Sequence, residues 1–328
     1  MANLKNIKSK LILKRIFNNI SYLKKLLVVI YNKNIQNIID IDIENYKRKS
    51  GKIKLLEKNG KGKEYLLYGT KELIFEGEYL NNKRNGHGKE YHNSKLIFEG
   101  EYLNGLRHGK GQVYFTNGNI RYIGEYLKGK FNGYIKEYTL RGHLLFEGEY
   151  LNGKRNGKGK KYDKNFGCLL FEGEYLNGKR NGQGKEYDYL NHRLIYEGEY
   201  LNGKRNGQGK EYDRYDGRLR FEGEYLNGKR NGKGKEYYGN GKLLFEGEYL
   251  NGKRNGKGKE YDYLYHRLIY EGEYLNGKRN GQGKEYDEYD GRLRFEGEYL
   301  NGKRNGNGTF FNKIGISYIG KYKDGKRI

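Results

Sequence analysis

The 328-residue sequence carries a net charge of +25, with 34% apolar residues, 52 glycines, 36 tyrosines and no proline. That is too polar for two conventional buried cores and too rich in aromatic residues for a plainly disordered chain. Its one cysteine, Cys168, excludes an intrachain disulfide and a cysteine-based zinc cluster.

Residues 1–50 read as a basic helical segment. Ile16, Ile20, Leu23, Leu27 and Ile30 recur at steps of three and four, the spacing of an amphipathic helix. Lys10, Lys14, Arg15, Lys24 and Lys25 supply positive charge, and Asn18-Asn19 is a place where two helices would divide. Residues 1–70 hold 16 Lys/Arg against 5 Asp/Glu, and the remaining residues hold 50 against 36. The N-terminal part is therefore the more basic per residue, and a basic surface attracts polyanions or acidic proteins. The stretch Leu11 to Gln36 is similar to the start of F-box motifs, though it lacks their Leu-Pro opening. That similarity implies an adaptor for a ubiquitin-ligase subunit. The longest apolar run here, Leu26 to Tyr31, is far too short to span a bilayer. With no secretory signal the expected location is intracellular and cytoplasmic, including the periphery of a membrane.

From residue 51 to 328 the sequence reads as an array. Glycines 77, 100, 124, 148, 173, 198, 223, 247, 272, 297 and 320 mark a period of 23 to 25 residues. The eleven residues EGEYLNGKRNG occur seven times without change, from Glu147–Gly157 to Glu296–Gly306. Two near-identical 25-residue stretches begin at Tyr189 and Tyr263, three units apart, which points to growth by copying of blocks.

Each unit reads as a β-hairpin. Phe171, Gly173 and Tyr175 alternate onto one strand face, and Leu170, Glu172, Glu174 and Leu176 onto the other. Asn177-Gly178 is a type I′ turn signal. With that turn, Tyr175 is expected opposite Arg180, Gly173 opposite Gly182, and Phe171 opposite Gly184. Asn181-Gly182 is a second turn signal, so a longer loop stays open. Aromatic rings would lie over glycines, and hairpins would pair edge to edge into one twisted sheet whose burial comes from aromatic rows.

FEGEYLNGKRNGKGKEY resembles the MORN repeat (membrane occupation and recognition nexus). The matching residues in one unit are Phe221, Gly223, Tyr225, Gly228, Gly232 and Gly234; in another they are Phe171, Gly173, Tyr175, Gly178, Gly182 and Gly184. The unit is longer than the common 23 residues, and tyrosine stands where tryptophan is frequent. The form beginning at Lys235 looks more like units of bacterial proteins. The resemblance implies a mainly β fold: an extended, twisted, antiparallel single-layer sheet of about eleven hairpins after a short helical segment. It also implies protein–protein interaction or membrane-proximal scaffolding.

Catalysis is not expected. Of the six histidines, His192 and His266 are copies of one linker position and read as exposed. The repeated Glu172-x-Glu174 could suggest an acid/base pair, but near-identical surroundings cannot separate the two pKa values that such a pair needs. Pairing with Lys or Arg on a neighbouring strand is the favoured reading. The glycines of NGKGK lack the helix that a phosphate-binding loop requires. No metal or cofactor site is expected.

The candidate binding residues are the Lys-Arg pairs that follow each turn: Lys154-Arg155, Lys179-Arg180, Lys204-Arg205, Lys229-Arg230, Lys253-Arg254, Lys278-Arg279 and Lys303-Arg304. A basic ladder of these would meet its partner by many weak contacts. A protein partner leads, an anionic membrane follows, and nucleic acid comes third because the glutamates cancel much of the charge. Unpaired sheet ends allow self-association. The expected function is a non-enzymatic repeat scaffold. The alternatives are an F-box-like adaptor with the repeats holding a client, and a basic surface for phospholipid or nucleic acid.

Overall fold

A computed structural model describes residues 52–66 and 71–328, together with Ile12 and Arg15, which are helical and exposed. The helical segment expected over residues 1–50, with its F-box similarity, otherwise lies outside the described residues. The protein divides into two compact units, residues 1–132 with 140–142 and residues 133–139 with 143–328.

The first unit contains β1 (Lys52–Leu56), β2 (Lys61–Leu66), β3 (Glu72–Leu80), β4 (Lys83–His92), β5 (Lys95–Leu103), β6 (Leu106–Tyr114) and β7 (Ile120–Leu127). The next strand, β8 (Lys130–Tyr138), belongs to the second unit from Gly133 onward. The second unit continues with β9 (Leu144–Leu151), β10 (Lys154–Tyr162), β11 (Leu169–Leu176), β12 (Lys179–Tyr187), β13 (Leu194–Leu201) and β14 (Lys204–Tyr212). Then come β15 (Leu219–Leu226), β16 (Lys229–Tyr237), β17 (Leu243–Leu250), β18 (Lys253–Tyr261), β19 (Leu268–Leu275) and β20 (Lys278–Tyr286). The last four are β21 (Leu293–Leu300), β22 (Lys303–Asn312), β23 (Gly315–Lys323) and β24 (Lys326–Arg327). Within each unit every strand pairs antiparallel with its neighbours in sequence.

The tight turns are as the dipeptides predict. Asn177 and Gly178 have φ of 51° and 87°, the left-handed pair that a type I′ turn needs. The register beyond the turn differs from the expectation. Tyr175 is opposite Arg180, but Gly173 faces Gly184 and Phe171 faces Glu186. Asn181-Gly182 is not a second turn but part of a bulge that places two extra residues on β12. Gly182 sits there at φ 88°, and the carboxylate of Glu174 fills the space a side chain would take. Because the insertion is an even number, every side chain keeps its predicted face while its partner shifts by two.

The aromatic face forms the core. Phe75, Phe98, Phe146, Phe171, Tyr196, Phe221, Phe245, Tyr270 and Phe295 are fully buried. In the second unit each ring meets a tyrosine of its own strand and one from the next hairpin, edge to face. Phe171 lies 5.5 Å from Tyr175 and 5.3 Å from Tyr200, and Phe221 lies 5.6 Å from Tyr225 and 5.2 Å from Tyr249. In the first unit Phe75, Tyr79, Phe98, Tyr102 and Tyr126 make the same cluster, closed by Val113 and Phe131. Burial of each such ring stabilises by about 1.5–3 kcal/mol, and its edge-to-face partners add to that. The glycines beneath the rings are there for steric reasons: a Cβ on Gly184 would lie 2.6 Å from Phe171.

Candidate functional site

In β12, β14, β16, β18 and β20 an arginine follows the first lysine, and a glutamate lies six residues further on. The bulge keeps both on the aromatic face. Arg180, Arg205, Arg230, Arg254 and Arg279 each place the guanidinium carbon over the ring of their own hairpin, 4.0 Å from its centre. The glutamate then joins two hairpins. Glu211 accepts from Arg205 Nη1 at 3.5 Å, from Arg230 Nη2 at 2.5 Å and from the Tyr225 hydroxyl at 2.7 Å. Glu186 joins Arg180 to Arg205, Glu236 joins Arg230 to Arg254, Glu260 joins Arg254 to Arg279, and Glu285 joins Arg279 to Arg304. A line of alternating charge thus runs from Arg180 to Arg304. The first unit has a shorter one, in which Glu64, Arg84, Glu90 and Arg107 alternate.

Burial alone would raise the Glu186 carboxyl. The hydrogen bond and charge of Arg205, with the charge of Arg180, outweigh it and hold the group below the ordinary carboxylate range. Glu211 and Glu285 are lowered against the same burial by Arg230 and Arg304. Burial and the neighbouring carboxylate push the Tyr200 and Tyr225 hydroxyls far up.

The opposite face carries a groove of about 890 Å³ in the second unit. Its floor is the backbone of glycines 209, 223, 234, 247, 258, 272 and 283. One wall is Lys210, Glu222, Lys235, Glu246, Lys259, Glu271, Lys284 and Glu296, so charge alternates at every strand. The other wall alternates through Glu224, Lys233, Glu248, Lys257 and Glu273, with the neutral Gln208 and Gln282 at its two ends. A second groove of about 550 Å³ shares Gln208, Gly209 and Lys210 and continues the feature back to Lys158. Neighbouring strands are about 4.8 Å apart, so the pattern repeats about every 10 Å.

Compared with known families, the sequence matches the MORN repeat at residues 75–94, 98–120, 122–134, 146–167 and 171–189. The matches continue at 196–214, 221–242, 245–263, 270–288 and 295–313. The chain belongs to the MORN repeat family. No curated protein matches it. Among solved structures it is similar to a point mutant of S. aureus TarM in complex with Fondaparinux, alpha-GlcNAc-glycerol and UDP. That match has 12% identity and a TM-score of 0.19, over 46% of this chain and 22% of the other. It is also similar to TcdB2-TccC3 without its hypervariable C-terminal region. There the identity is 13% and the TM-score 0.17, over 82% of this chain and 16% of the other. The protein spans about a fifth of the length of these two, and TM-scores this low carry no argument about fold or activity.

The MORN units split the candidate Lys-Arg pairs. Arg155, Arg180, Arg205, Arg230, Arg254, Arg279 and Arg304 are half-buried on the aromatic face. Lys154, Lys179, Lys204, Lys229, Lys253, Lys278 and Lys303 stay exposed at the turn edge and make no ion pair with a described residue. Each of these lysines pairs across the turn with an exposed leucine, as Lys179 does with Leu176 and Lys229 with Leu226. The basic ladder of the turn edge is therefore a row of lysines and leucines, without the arginines.

The expected pairing of Glu172 and Glu174 with neighbouring cations is mixed. Glu172 lies 3.9 Å from Lys160 Nζ, but its closer partner is the Tyr187 hydroxyl at 2.6 Å. The second glutamate of a unit turns to the bulge instead, as when Glu224 accepts the Lys233 backbone N–H at 3.1 Å. His192 and His266 are exposed in the linkers, as expected. The residues missed in the sequence are Glu186, Glu211, Glu236, Glu260 and Glu285. Their constant six-residue spacing from the arginine is the signal that could have found them.

Proposed function

We propose that this protein is a non-enzymatic MORN scaffold that holds an extended segment of a protein partner along its charged groove. The unbroken glycine floor supports this reading most. It lets another backbone approach closely, while the walls offer both charge signs at every step. An extended peptide advances about 3.3 Å per residue, so three residues span one hairpin repeat. The carboxylates recur in equivalent surroundings, which suits recognition rather than acid/base chemistry. Action inside the cell, where the Cys168 thiol would stay reduced, fits the same picture. Affinity capture with the full-length protein, and with Lys210, Lys235 and Lys259 all changed to Glu, tests the reading. A partner held by the parent and lost by the variant supports it, and equal capture by both refutes it.

The row of lysines that make no ion pair with a described residue, beside exposed leucines, favours a second reading, contact with an anionic membrane. Co-sedimentation with phosphatidylserine vesicles at low salt should then fall when Lys179, Lys204, Lys229 and Lys253 become Gln. Unchanged sedimentation would remove it.

A further inference from the structure

The position that holds the linking glutamate departs from Glu three times among the described residues of the array. Val113 takes it in β6, and the arginine expected of the next hairpin is there replaced by Phe131. Phe310 takes it in β22, where the guanidinium carbons of Arg304 and Arg327 lie 5.7 and 4.8 Å from its ring centre. In both places the neighbouring charge is removed or stacked on a ring. At the third departure, Lys161 in β10, both flanking arginines remain, each over the ring of its own hairpin, and the replacing residue adds a further positive charge.

Lys161 stands opposite Phe146 and Phe171, between Arg155 and Arg180. It is exposed and makes no ion pair with a described residue. In the following hairpins this position receives two guanidiniums, as Glu186 and Glu211 do, and at Glu211 a tyrosine hydroxyl as well. Here Arg155 donates to Glu137 at 2.9 Å and Arg180 to Glu186, each in the direction away from Lys161. The Tyr175 hydroxyl, on a side chain only 6% exposed, makes no hydrogen bond among the described residues, which is also true of the Tyr200, Tyr249, Tyr274 and Tyr299 hydroxyls. Burial raises the Tyr175 hydroxyl and the charges of Arg180 and Arg155 oppose it, whereas the Glu186 carboxylate adds to burial in raising the equivalent Tyr200.

We propose that Arg155, Lys161, Arg180 and Tyr175 form a binding site for a carboxylate supplied from outside the array. The donor set is the one that holds Glu211, with an ammonium added and the built-in carboxylate removed. Two guanidinium forks and a phenol match the two oxygens of a carboxylate. An acidic side chain of a bound protein, the terminal carboxylate of a peptide or a small organic acid all offer this group.

The thermal midpoint of the full-length protein is measured against sodium acetate and against sodium phosphate, with chloride balancing the ionic strength. The parent midpoint should rise with acetate. Lys161→Glu should start from a higher midpoint in chloride and show no further rise with acetate, because it supplies the carboxylate itself. Tyr175→Phe should fold and respond about tenfold more weakly to acetate, the loss of one charge-assisted bond. Equal acetate responses in the parent and Lys161→Glu overturn the site. So does a lower starting midpoint for Lys161→Glu, and so does an unaltered response in Tyr175→Phe. A parent that responds to phosphate but not to acetate overturns the carboxylate assignment. If Lys161→Glu fails to fold, the Tyr175→Phe titration decides.

Discussion

Arg205 and Glu186 lie in different hairpins, yet the arginine's Nη2 donates to the carboxylate at 2.5 Å. The same guanidinium reaches Glu211 of its own strand at 3.5 Å and covers the Tyr196 ring. One side chain therefore packs the aromatic core, closes its own hairpin and fastens it to the one before.

Replacing Glu211 by Gln should break this link while keeping its shape. Two half-buried guanidiniums and the Tyr225 hydroxyl lose their charged acceptor, at a cost of about 1–3 kcal/mol. In a repeat array the loss is local. Hydrogen exchange should show faster opening of β14, β15 and β16, with little change in β21 and β22. Uniform loss of protection throughout would contradict the local linkage.

Acid should weaken the array. Glu186, Glu211 and Glu285 are held below their ordinary values in the folded protein, chiefly because their arginine partners overcome burial. Their stabilisation is complete above the unfolded carboxyl value of about 4.3 and is lost as pH falls through the lower folded values. The urea midpoint should be level above about pH 5 and decline below about pH 4. A midpoint unchanged at pH 3 would show that the ladder contributes nothing.

Alkali should act through another set. Burial, then the Glu172 carboxylate, pushes the Tyr187 hydroxyl up to about 12, and Tyr91 and Tyr261 are raised to about 12 in the same way. Unfolded tyrosine titrates near about 10, so this contribution is intact below about pH 10 and disappears as pH rises through 12. Ultraviolet titration should show a late-ionising fraction of tyrosines that joins the early fraction in concentrated urea.

Two glycine substitutions should separate space from backbone strain. Gly178→Ala has open room but keeps a turn residue at φ 87°, so the expected loss is about 1 kcal/mol. Gly184→Ala drives a methyl to 2.6 Å from Phe171 and 3.1 Å from Tyr200, and should cost about 2–4 kcal/mol. Equal losses measured by urea unfolding would refute the steric account.

The strand faces and turns were legible because alternation and Asn-Gly chemistry are local. Phe171, Gly173 and Tyr175 share their predicted face, and Asn177-Gly178 turns the backbone where expected. The register was not legible, because the bulge at Asn181-Gly182 adds two residues and leaves the alternation undisturbed. Without the register, Glu186 cannot be placed opposite Phe171. Lys161 is visible in the sequence as a one-letter departure. Its meaning depends on knowing which two arginines and which tyrosine converge on that position.

The near-identity of the units leaves a problem of addressing. A strand that meets the same eleven residues in several hairpins has many almost equivalent docking choices, so slipped or exchanged pairings compete with the native one. Ile135 is an answer to this. It is fully buried in the row otherwise occupied by glycines and pairs with Gly148. Shifted by one hairpin, its side chain would be forced against a ring. With Lys161 and Phe310 it is one of the few positions by which otherwise interchangeable hairpins differ from one another.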